Sequence, residues 1–299
     1  MSLHHPNPGV HAHRVGDARV TALLDGFIEL SYRVWDGADA AEMDAALRAR
    51  GLPAGVMRNG ITSFLVETGG KRIMVDTGAA GQFGPHSHAF PRNLELAGIG
   101  PADIDEVFAT HLHTDHIGAL LIDGKPTLPK AILRTTQVEI DFWSSDEHRS
   151  RAPEWMRGWF DVTRSVLRAY HGRIHVFTPG KAIGHGFTAV ALPGHTPGHT
   201  GYLFESGGDR IMFMGDLMIS PSVQCSNPKA HMIFDIDAAE GFRSRLRGLD
   251  QAAADHLLCT ATHWPFPTFA YIGKRGAGYE WIPAEWQYDP SGRPIEPIM

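Results

Sequence analysis

The sequence contains very little cysteine, with Cys225 and Cys259 as the only two among 299 residues. Two cysteines are too few for a disulfide framework, and both lie in apolar stretches, so we expect buried free thiols and no cysteine nucleophile. This shortage of cysteine is typical of proteins from the reducing cytoplasm. The first residues also lack the apolar core of a secretory signal, so a cytoplasmic location is expected.

The chain also lacks long apolar runs and clusters of basic residues. No segment is long and apolar enough to span a bilayer, so no membrane partner is expected. The formal net charge is −6 and no run of Lys or Arg is present, which argues against nucleic-acid binding. We expect residues 1–15 to form a flexible tail and residues 16–299 to form a single domain, because no low-complexity linker interrupts the sequence.

One short stretch, by contrast, is unusually dense in potential metal ligands. The segment Thr110–Gly118 follows an apolar strand and contains His111, His113, Asp115 and His116. Alternate residues of an extended segment point the same way, so the first two histidines can bind one ion. The other two lie past the bend and can face a second ion. The alternative is a polar loop that is rich in histidine by chance, since the chain has 18 histidines.

Three later residues complete a set of metal ligands at predicted strand ends. They are His195 in a Pro-Gly turn, and Asp216 and His263 after apolar strands. Ligand counting assigns His111, His113 and His195 to one ion and Asp115, His116 and His263 to the other, with Asp216 as the bridge. This arrangement leaves open coordination for a shared water, which a catalytic site requires. Each later residue, taken alone, could also be an ordinary polar residue at a strand end.

Two stretches of the sequence resemble each other. Residues 60–75 align without gaps with residues 198–213, and each pattern predicts a strand, a Gly-Gly turn and a second strand. A hairpin repeated in each half of the chain predicts two similar αβ halves. Residues 19–24 and 26–32 are predicted to form a further hairpin.

With these residues in place, the chain resembles the metallo-β-lactamase superfamily. The matching pieces are Asp76-Thr77-Gly78, the Thr110–Gly118 loop, the turn from Gly194 to His199, Gly215-Asp216 and Thr262-His263. The resemblance implies an α/β (α+β) fold, a four-layer αββα sandwich. Further segments resemble the methyl parathion hydrolase and lactonase branch, namely residues 75–85, 140–143, 234–237 and 278–283.

This resemblance implies a hydrolase with two divalent metal ions, zinc first, or otherwise manganese, cobalt or iron. A metal-bridging hydroxide would attack a neutral hydrophobic ester, lactone or phosphotriester, with Asp216 bridging the ions and Asp115 moving a proton to the leaving group. Asp76 would orient the ligand loop, or else simply form a turn. Lactonases of this kind carry a tyrosine where Ile219 stands, so a tyrosine-assisted mechanism is not expected. A homodimer is also implied.

The substrate pocket is expected to be aromatic. The resemblance places Phe83, Trp143 and Trp159 or Phe160 in its wall, and Trp264 and Phe266 lie just after His263 in the sequence. Core packing is the alternative for each of these aromatic residues, because aromatic side chains dominate protein cores. As a group near the metals, they predict a small, neutral, hydrophobic substrate.

Other activities of this superfamily stay open as alternatives. A glyoxalase-II-like thioesterase would need basic residues to hold an anionic conjugate, and Lys274 and Arg275 are the only obvious late pair. An iron-dependent oxidoreductase belongs to a different class, but the diiron pattern has Glu where His113 stands. A mononuclear dioxygenase would not need His116 and His263. A nuclease is disfavoured by the net charge of −6.

Overall fold

The computed structural model describes residues 9–287 of the chain. Its strands are, in chain order, Val10–Val15 (β1), Ala18–Ser31 (β2), Trp35–Asp36 (β3), Val56–Thr68 (β4), Lys71–Val75 (β5), Glu106–Phe108 (β6), Leu121–Ile122 (β7), Lys125–Pro126 (β8), Ile132–Thr136 (β9), Ile174–Phe177 (β10), Ala182–Gly184 (β11), Phe187–Ala191 (β12), Thr200–Ser206 (β13), Asp209–Phe213 (β14), His231–Met232 (β15), Leu258–Thr260 (β16), Ala270–Arg275 (β17) and Gly278–Pro283 (β18). The helices are Ala40–Arg48 (α1), Phe90–Leu96 (α2), Thr114–Ile117 (α3), Gln137–Ser144 (α4), Asp146–Arg151 (α5), Glu154–Ala169 (α6), Pro221–Gln224 (α7) and Ala238–Ala254 (α8). Single 3-10 turns cover Tyr32–Val34, Pro101–Asp103 and Gly118–Leu120.

The strands form two seven-stranded sheets. The first sheet has the order β1-β2-β4-β5-β6-β9-β10, and the second has the order β11-β12-β13-β14-β16-β17-β18. Strands β5, β6, β9 and β10 run parallel to one another, as do β14 and β16, and the other pairs in the two sheets are antiparallel. Parallel strands end at the same edge of a sheet, so the loops after them are brought together.

The two sheets pack face to face and helices cover both outer faces. Phe64 of the first sheet packs against Phe213 of the second, with ring centroids 5.5 Å apart, inside one continuous apolar cluster. A second cluster joins the first sheet to α2, α4 and α6, and a third joins the second sheet to α8. This layering confirms the predicted αββα sandwich, because each sheet buries one face against its partner and the other against helices.

The two predicted hairpins occupy matching places in the two sheets. They are β4–β5 and β13–β14. The second strand of each hairpin has a parallel neighbour, which is β6 for β5 and β16 for β14. Even the cross-strand pairs correspond, since Glu67 lies opposite Arg72 and Glu205 lies opposite Arg210. The gapless sequence similarity therefore reports a structural repeat.

The predicted tail was wrong for residues 10–15, which form β1 at the edge of the first sheet. This strand pairs with β2 from Val10 to Val15. His13 is buried against the ring of Phe269, and burial together with the nearby His11 lowers the pKa of His13 to about 4. This stretch is rich in polar residues and was therefore predicted to be a tail, but it forms the edge strand of the sheet. Residues 1–8 and 288–299 lie outside the described residues.

The predicted hairpin over residues 19–32 is also wrong, because these residues belong to one 14-residue strand, β2. Its pairing with β4 shifts register between Leu24 and Gly26, which marks a β-bulge. The backbone carbonyl of His86 approaches Gly26 so closely that a Cβ there would lie 1.6 Å from its oxygen. The glycine that suggested a turn therefore marks a close backbone contact within a strand.

Helix ends and cysteines follow the sequence closely. Asp39 and Asp237 accept hydrogen bonds from the first turns of α1 and α8, as residues of their type do at helix N-caps. Cys225 and Cys259 are buried free thiols, and burial raises the pKa of Cys225 to about 12. Across residues 9–287, no helix combines the length and apolar character needed to cross a membrane.

Candidate metal centre

The predicted ligands all follow the ends of central strands, on one edge of the sandwich. The Thr110–Gly118 loop comes after β6, the turn containing His195 comes after β12, and Asp216 comes after β14. His263 lies three residues past the end of β16. Because β5–β6 and β14–β16 run parallel within their sheets, these loops converge between the two sheets.

Three imidazoles and one carboxylate make the first ligand set. Nε2 of His111 and Nε2 of His195 each lie 2.9 Å from Nδ1 of His113. Oδ2 of Asp216 lies 3.1 Å from Nε2 of His195. One donor atom from each of the four buried residues lies within 4.8 Å of all the others.

Asp115, His116 and His263 make the second set, within the same 4.8 Å limit. Oδ2 of Asp115 lies 3.3 Å from Nε2 of His263 and 3.8 Å from Nε2 of His116. The Asp216 carboxylate reaches this set too, with Oδ1 3.2 Å from His116 Nε2 and Oδ2 3.2 Å from His263 Nε2. Asp216 therefore lies between two sets of three ligands.

The chemistry of this donor set fits two cations. Within the described part of the chain, His116 Nε2 and Asp216 Oδ1 are buried and make no hydrogen bond, although they lie 3.2 Å apart. Burial and the neighbouring histidines hold the pKa values of His111 and His113 well below the ordinary value, so both rings are neutral. Neutral imidazole is the form that coordinates a metal, and buried lone pairs without donors favour a cation between them.

The remaining site groups attract positive charge. Burial lowers the pKa of His263, but Asp216 and Asp115 outweigh this effect and raise it to about 10. Burial also lowers the pKa of His195, but Asp216 and Asp235 outweigh this effect and raise it to about 9. Burial raises the pKa of Asp216, whereas His263, His116 and His195 together lower it well below its usual range. Such a carboxylate stays ionised and can bridge two metals.

Comparison with known proteins agrees with this arrangement of ligands. A model of the metallo-β-lactamase superfamily matches residues 56–122, which run from β4 through the histidine loop. A solved hydrolase of the β-lactamase superfamily named AbOPH superposes with a TM-score of 0.88 over 93% of this chain and 98% of its own, at 29% identity. The chain therefore contains a metallo-β-lactamase superfamily domain.

Two further relatives within the superfamily are informative. The solved structure of AidC, a dizinc quorum-quenching lactonase in complex with a product, gives a TM-score of 0.88 at 26% identity over 93% of this chain and 98% of its own. A probable metallo-hydrolase of Mycobacterium bovis is 28% identical over 174 residues, which are 51% of this chain and 54% of that protein. The chain thus spans about half the length of this curated relative.

Asp76 holds the ring of His116 from the side away from the other ligands. Its carboxylate accepts hydrogen bonds from the Thr110 backbone N–H at 2.8 Å and hydroxyl at 2.9 Å, and lies 2.8 Å from Nδ1 of His116. The backbone of Asp76 has a φ of 58°, a left-handed conformation that costs about 1 kcal/mol or more in a residue other than glycine. This geometry agrees with the predicted orienting role, because the carboxylate leaves Nε2 of His116 free for a metal.

A matching support behind His195 was missed in the sequence. Oδ1 of Asp235 lies 2.7 Å from His195 Nδ1, and Oδ2 lies 3.6 Å from the guanidinium of Arg245. Arg245 is only 2% exposed and also donates to the Leu217 carbonyl at 2.7 Å. An arginine on the otherwise apolar inner face of α8 was the available signal, since a buried charge needs a partner.

Glu139 was also missed, although it joins two ligand loops. Its buried carboxylate accepts hydrogen bonds from the backbone N–H of Leu112 at 3.0 Å and of Gly198 at 2.8 Å. The indole of Trp143 donates a third, at 3.0 Å. Burial raises the pKa of Glu139, although these donors oppose the rise. Position alone made this residue inconspicuous, because the loops it connects are distant in the sequence.

His199 joins the backbone of two neighbouring loops of the site. Its Nδ1 donates to the Leu192 carbonyl at 3.0 Å, and its Nε2 accepts from the backbone N–H of Asp216 at 2.9 Å. Burial lowers the pKa of His199 to about 3, so the ring is neutral and can accept this bond. His199 thereby fixes the backbone of the bridging carboxylate.

A small cavity, the central cavity, lies over the ligands. Its wall is apolar and consists of Ile28, Leu30, Phe83, Trp159, Ile219, Met232 and Phe234. Of the predicted pocket residues, Phe83 and Trp159 line this cavity, and their ring centroids lie 6.1 Å apart.

The other predicted wall residues do not line the central cavity, and that prediction needs correction. Trp143, Phe160 and Trp264 are fully buried core residues, and Phe266 is 37% exposed and is not among the residues that line the cavity. Trp143 packs behind His113, with ring centroids 5.3 Å apart. Neighbours on a helix such as Trp159 and Phe160 point in different directions, so only one of the two can face the cavity.

Proposed function

We propose that this protein is a dinuclear metal-dependent hydrolase that cleaves a neutral hydrophobic ester, lactone or phosphotriester. The observation that carries the proposal is the Asp216 carboxylate, which lies between two buried sets of three ligands at distances of 3.1–3.2 Å. Two divalent cations, with zinc as the first expectation, would supply a water of lowered pKa and polarise a substrate oxygen.

Asp115 is the proposed group for proton movement. Its carboxylate lies at the floor of the central cavity, is 7% exposed and contacts Nε2 of His263 at 3.3 Å. A carboxylate that both belongs to the ligand set and faces the substrate can accept a proton and return it to the leaving group. Asp216 has no comparable freedom, because its oxygens face three histidines.

The central cavity supports a neutral substrate. Among its described lining residues, the charged or polar side chains are the ligands themselves, and the rest are aliphatic or aromatic. Ile219 occupies the place where the related lactonases carry a tyrosine, so a phenol does not assist the carbonyl. Binding therefore depends on apolar contact and on the metals.

A glyoxalase-II-like thioesterase receives no support from the basic residues. Lys274 and Arg275 lie at the end of β17, where Lys274 pairs with Asp250 and Arg275 pairs with Glu280 at 3.2 Å. Neither lines the central cavity. An anionic conjugate would thus meet no basic residue beside the ligands in the described part of this site.

The proposal is tested by assaying metal-loaded protein on a panel: an aryl ester, an aromatic lactone, an acyl-homoserine lactone, a phosphotriester and a glutathione thioester. We expect hydrolysis of at least one neutral substrate, loss of activity with EDTA, recovery with zinc, and about two ions per chain as in a two-metal site. Turnover that resists the chelator, or oxygen consumption by iron-loaded protein without hydrolysis, would overturn the proposal. The homodimer, the cytoplasmic location and the lack of nucleic-acid partners stay predictions.

A further inference from the structure

A second cavity, the side cavity, adjoins the metal centre. It is lined on one side by residues of α1, of the loop after α1 and of the start of β4, namely Leu47, Leu52, Pro53, Val56, Met57 and Asn59. Ile219 and the ligand His263 line both this cavity and the central one. The two cavities are therefore separated by little more than these two side chains.

The sizes of the two cavities show that the central one cannot hold a whole substrate. The central cavity has a volume of about 40 Å³, and the side cavity has about 80 Å³. Sites that enclose small organic ligands usually measure several hundred Å³. A substrate whose reacting group lies at the ligands must therefore extend past Ile219 or out to solvent. The side cavity offers apolar cover, since Leu52 and Val56 at its edge are 42% and 45% exposed.

Asn59 gives the side cavity a polar group of its own. Its side chain is only 3% exposed, and across residues 9–287 its Nδ2 has no hydrogen-bond partner. A buried donor without a partner is destabilising, so such groups usually have a ligand or water to bond. The residue after Asn59 contacts a candidate metal ligand directly, because the Gly60 carbonyl accepts a hydrogen bond from Nδ1 of His263 at 2.7 Å. Asn59 is thereby held close to the metal centre.

The charges around the side cavity favour a neutral occupant. Apart from His263, its charged lining residue is Arg58, whose guanidinium already pairs with Glu29 at 2.5 Å. The carboxamide of Asn59 is neutral and donates. An uncharged oxygen, such as that of a ketone, an ether or an amide, is the acceptor that matches it.

We propose that the side cavity binds an apolar arm of the substrate and that Asn59 donates a hydrogen bond to an oxygen on that arm. The proposal rests on the proposed hydrolase function and narrows its substrate class to neutral esters or lactones with an oxygen-bearing arm. Ile219 divides the reacting group from the arm, and Asn59 selects for the oxygen.

Chain length tests the apolar part of this proposal. The substrates are two series of p-nitrophenyl and acetyl esters, in which either the acyl or the alcohol chain grows by one methylene at a time. For the unmodified protein we expect kcat/KM to rise several-fold per methylene in one series, as about 0.8 kcal/mol per buried methylene implies. Val56→Trp fills the side cavity and should abolish this rise. Val176→Trp is the matched control, because Val176 is an equally exposed strand residue, at 51%, outside both cavities.

A ketone placed along the chain tests Asn59. For the ketone position that bonds Asn59, we expect the keto ester to exceed the plain ester of equal length in kcat/KM by about tenfold, as one buried hydrogen bond of about 1–1.5 kcal/mol allows. Asn59→Leu should bring that ratio to unity. Thermal unfolding and metal content show whether the variant is folded and loaded, and Asn59→Ser replaces it if it is not.

The outcomes separate the two proposals. If the unmodified protein hydrolyses no ester, lactone or phosphotriester in any metal-loaded form, the hydrolase function fails and this subsite fails with it. If it hydrolyses a phosphotriester but no ester or lactone, the subsite alone is overturned. If hydrolysis occurs but Val56→Trp keeps the chain-length dependence in both series, the apolar subsite alone is overturned. If the keto preference is absent or survives Asn59→Leu, Asn59 has no role in selection.

Discussion

The two sides of the metal centre are supported in chemically different ways. Behind His116, the Asp76 carboxylate is held by neutral donors, the N–H and hydroxyl of Thr110. Behind His195, the Asp235 carboxylate lies 3.6 Å from the buried guanidinium of Arg245. Both carboxylates lie within 2.8 Å of a histidine Nδ1. The repeated halves thus reach the same contact with the ligand, but among the described residues a buried arginine supports the carboxylate behind His195 and not the one behind His116.

Asp216 is the one ligand that both sides share, so its removal should have the largest effect. Asp216→Asn keeps the shape of the side chain but removes the charge that faces His116, His195 and His263. We expect activity to fall by far more than the 10–100-fold typical of changes behind a ligand. Metal content should also fall below two ions per chain, as measured by elemental analysis. Retention of both ions with near-normal turnover would show that Asp216 does not bridge.

Arg245 provides a test of the ion pair on the second side. Arg245→Met removes the guanidinium from beside the buried Asp235 and leaves His195 as its charged neighbour. Losing one member of a buried ion pair costs about 3–5 kcal/mol. The free energy of unfolding, measured in urea, should fall by that amount. Arg243→Met on the same helix is the control, because Arg243 is exposed and its pair with Glu240 is worth at most about 1 kcal/mol. Equal losses in both variants would contradict the buried-pair account.

These comparisons also show where sequence reasoning succeeded. The histidine loop is contiguous, so its spacing was enough to predict that its side chains cluster, as they do. The hairpin repeat was visible because Gly-Gly turns and strand pairs leave a local pattern. The αββα sandwich followed from the family resemblance. The support by Asp235 and Arg245 could not be found in the same way, since a pair formed between a loop and a helix leaves no local pattern.

The pocket was harder to predict than the ligands. Trp143 and Trp264 are close to ligands in space or sequence, yet both are core residues whose indoles donate to Glu139 and to the Met218 carbonyl. Meanwhile Ile28 and Leu30 line the central cavity from a strand that carries no chemical motif. Apolar side chains serve cores and pockets alike, so their type does not reveal which surface they face. Only the packing of the sheets decides that.

The smallest expected effects distinguish the two supporting carboxylates directly. Asp76→Asn should weaken the ion bound by Asp115, His116 and His263, and Asp235→Asn the ion bound by the other set, each by about 10–100-fold. When zinc-loaded protein is titrated with a chelator, each variant should therefore lose one ion at a lower chelator concentration than the unmodified protein does. The ion lost first should differ between the two variants. The double variant should lose both early.

The stability of the metal-free protein should also differ between Asp76→Asn and Asp235→Asn. Asp235→Asn leaves both Arg245 and the charged ring of His195 without the Asp235 counter-charge. Asp76→Asn takes a counter-charge from His116 alone, and the new amide oxygen can still accept from the neutral donors of Thr110. The metal-free Asp235→Asn protein should therefore unfold at a lower urea concentration than metal-free Asp76→Asn. If the order is reversed, loss of the carboxylate charge at Asp76, where φ is 58°, destabilises the protein more than loss of the counter-charge of Arg245 does. The contrast between a neutral and an ionic support would then have to be abandoned.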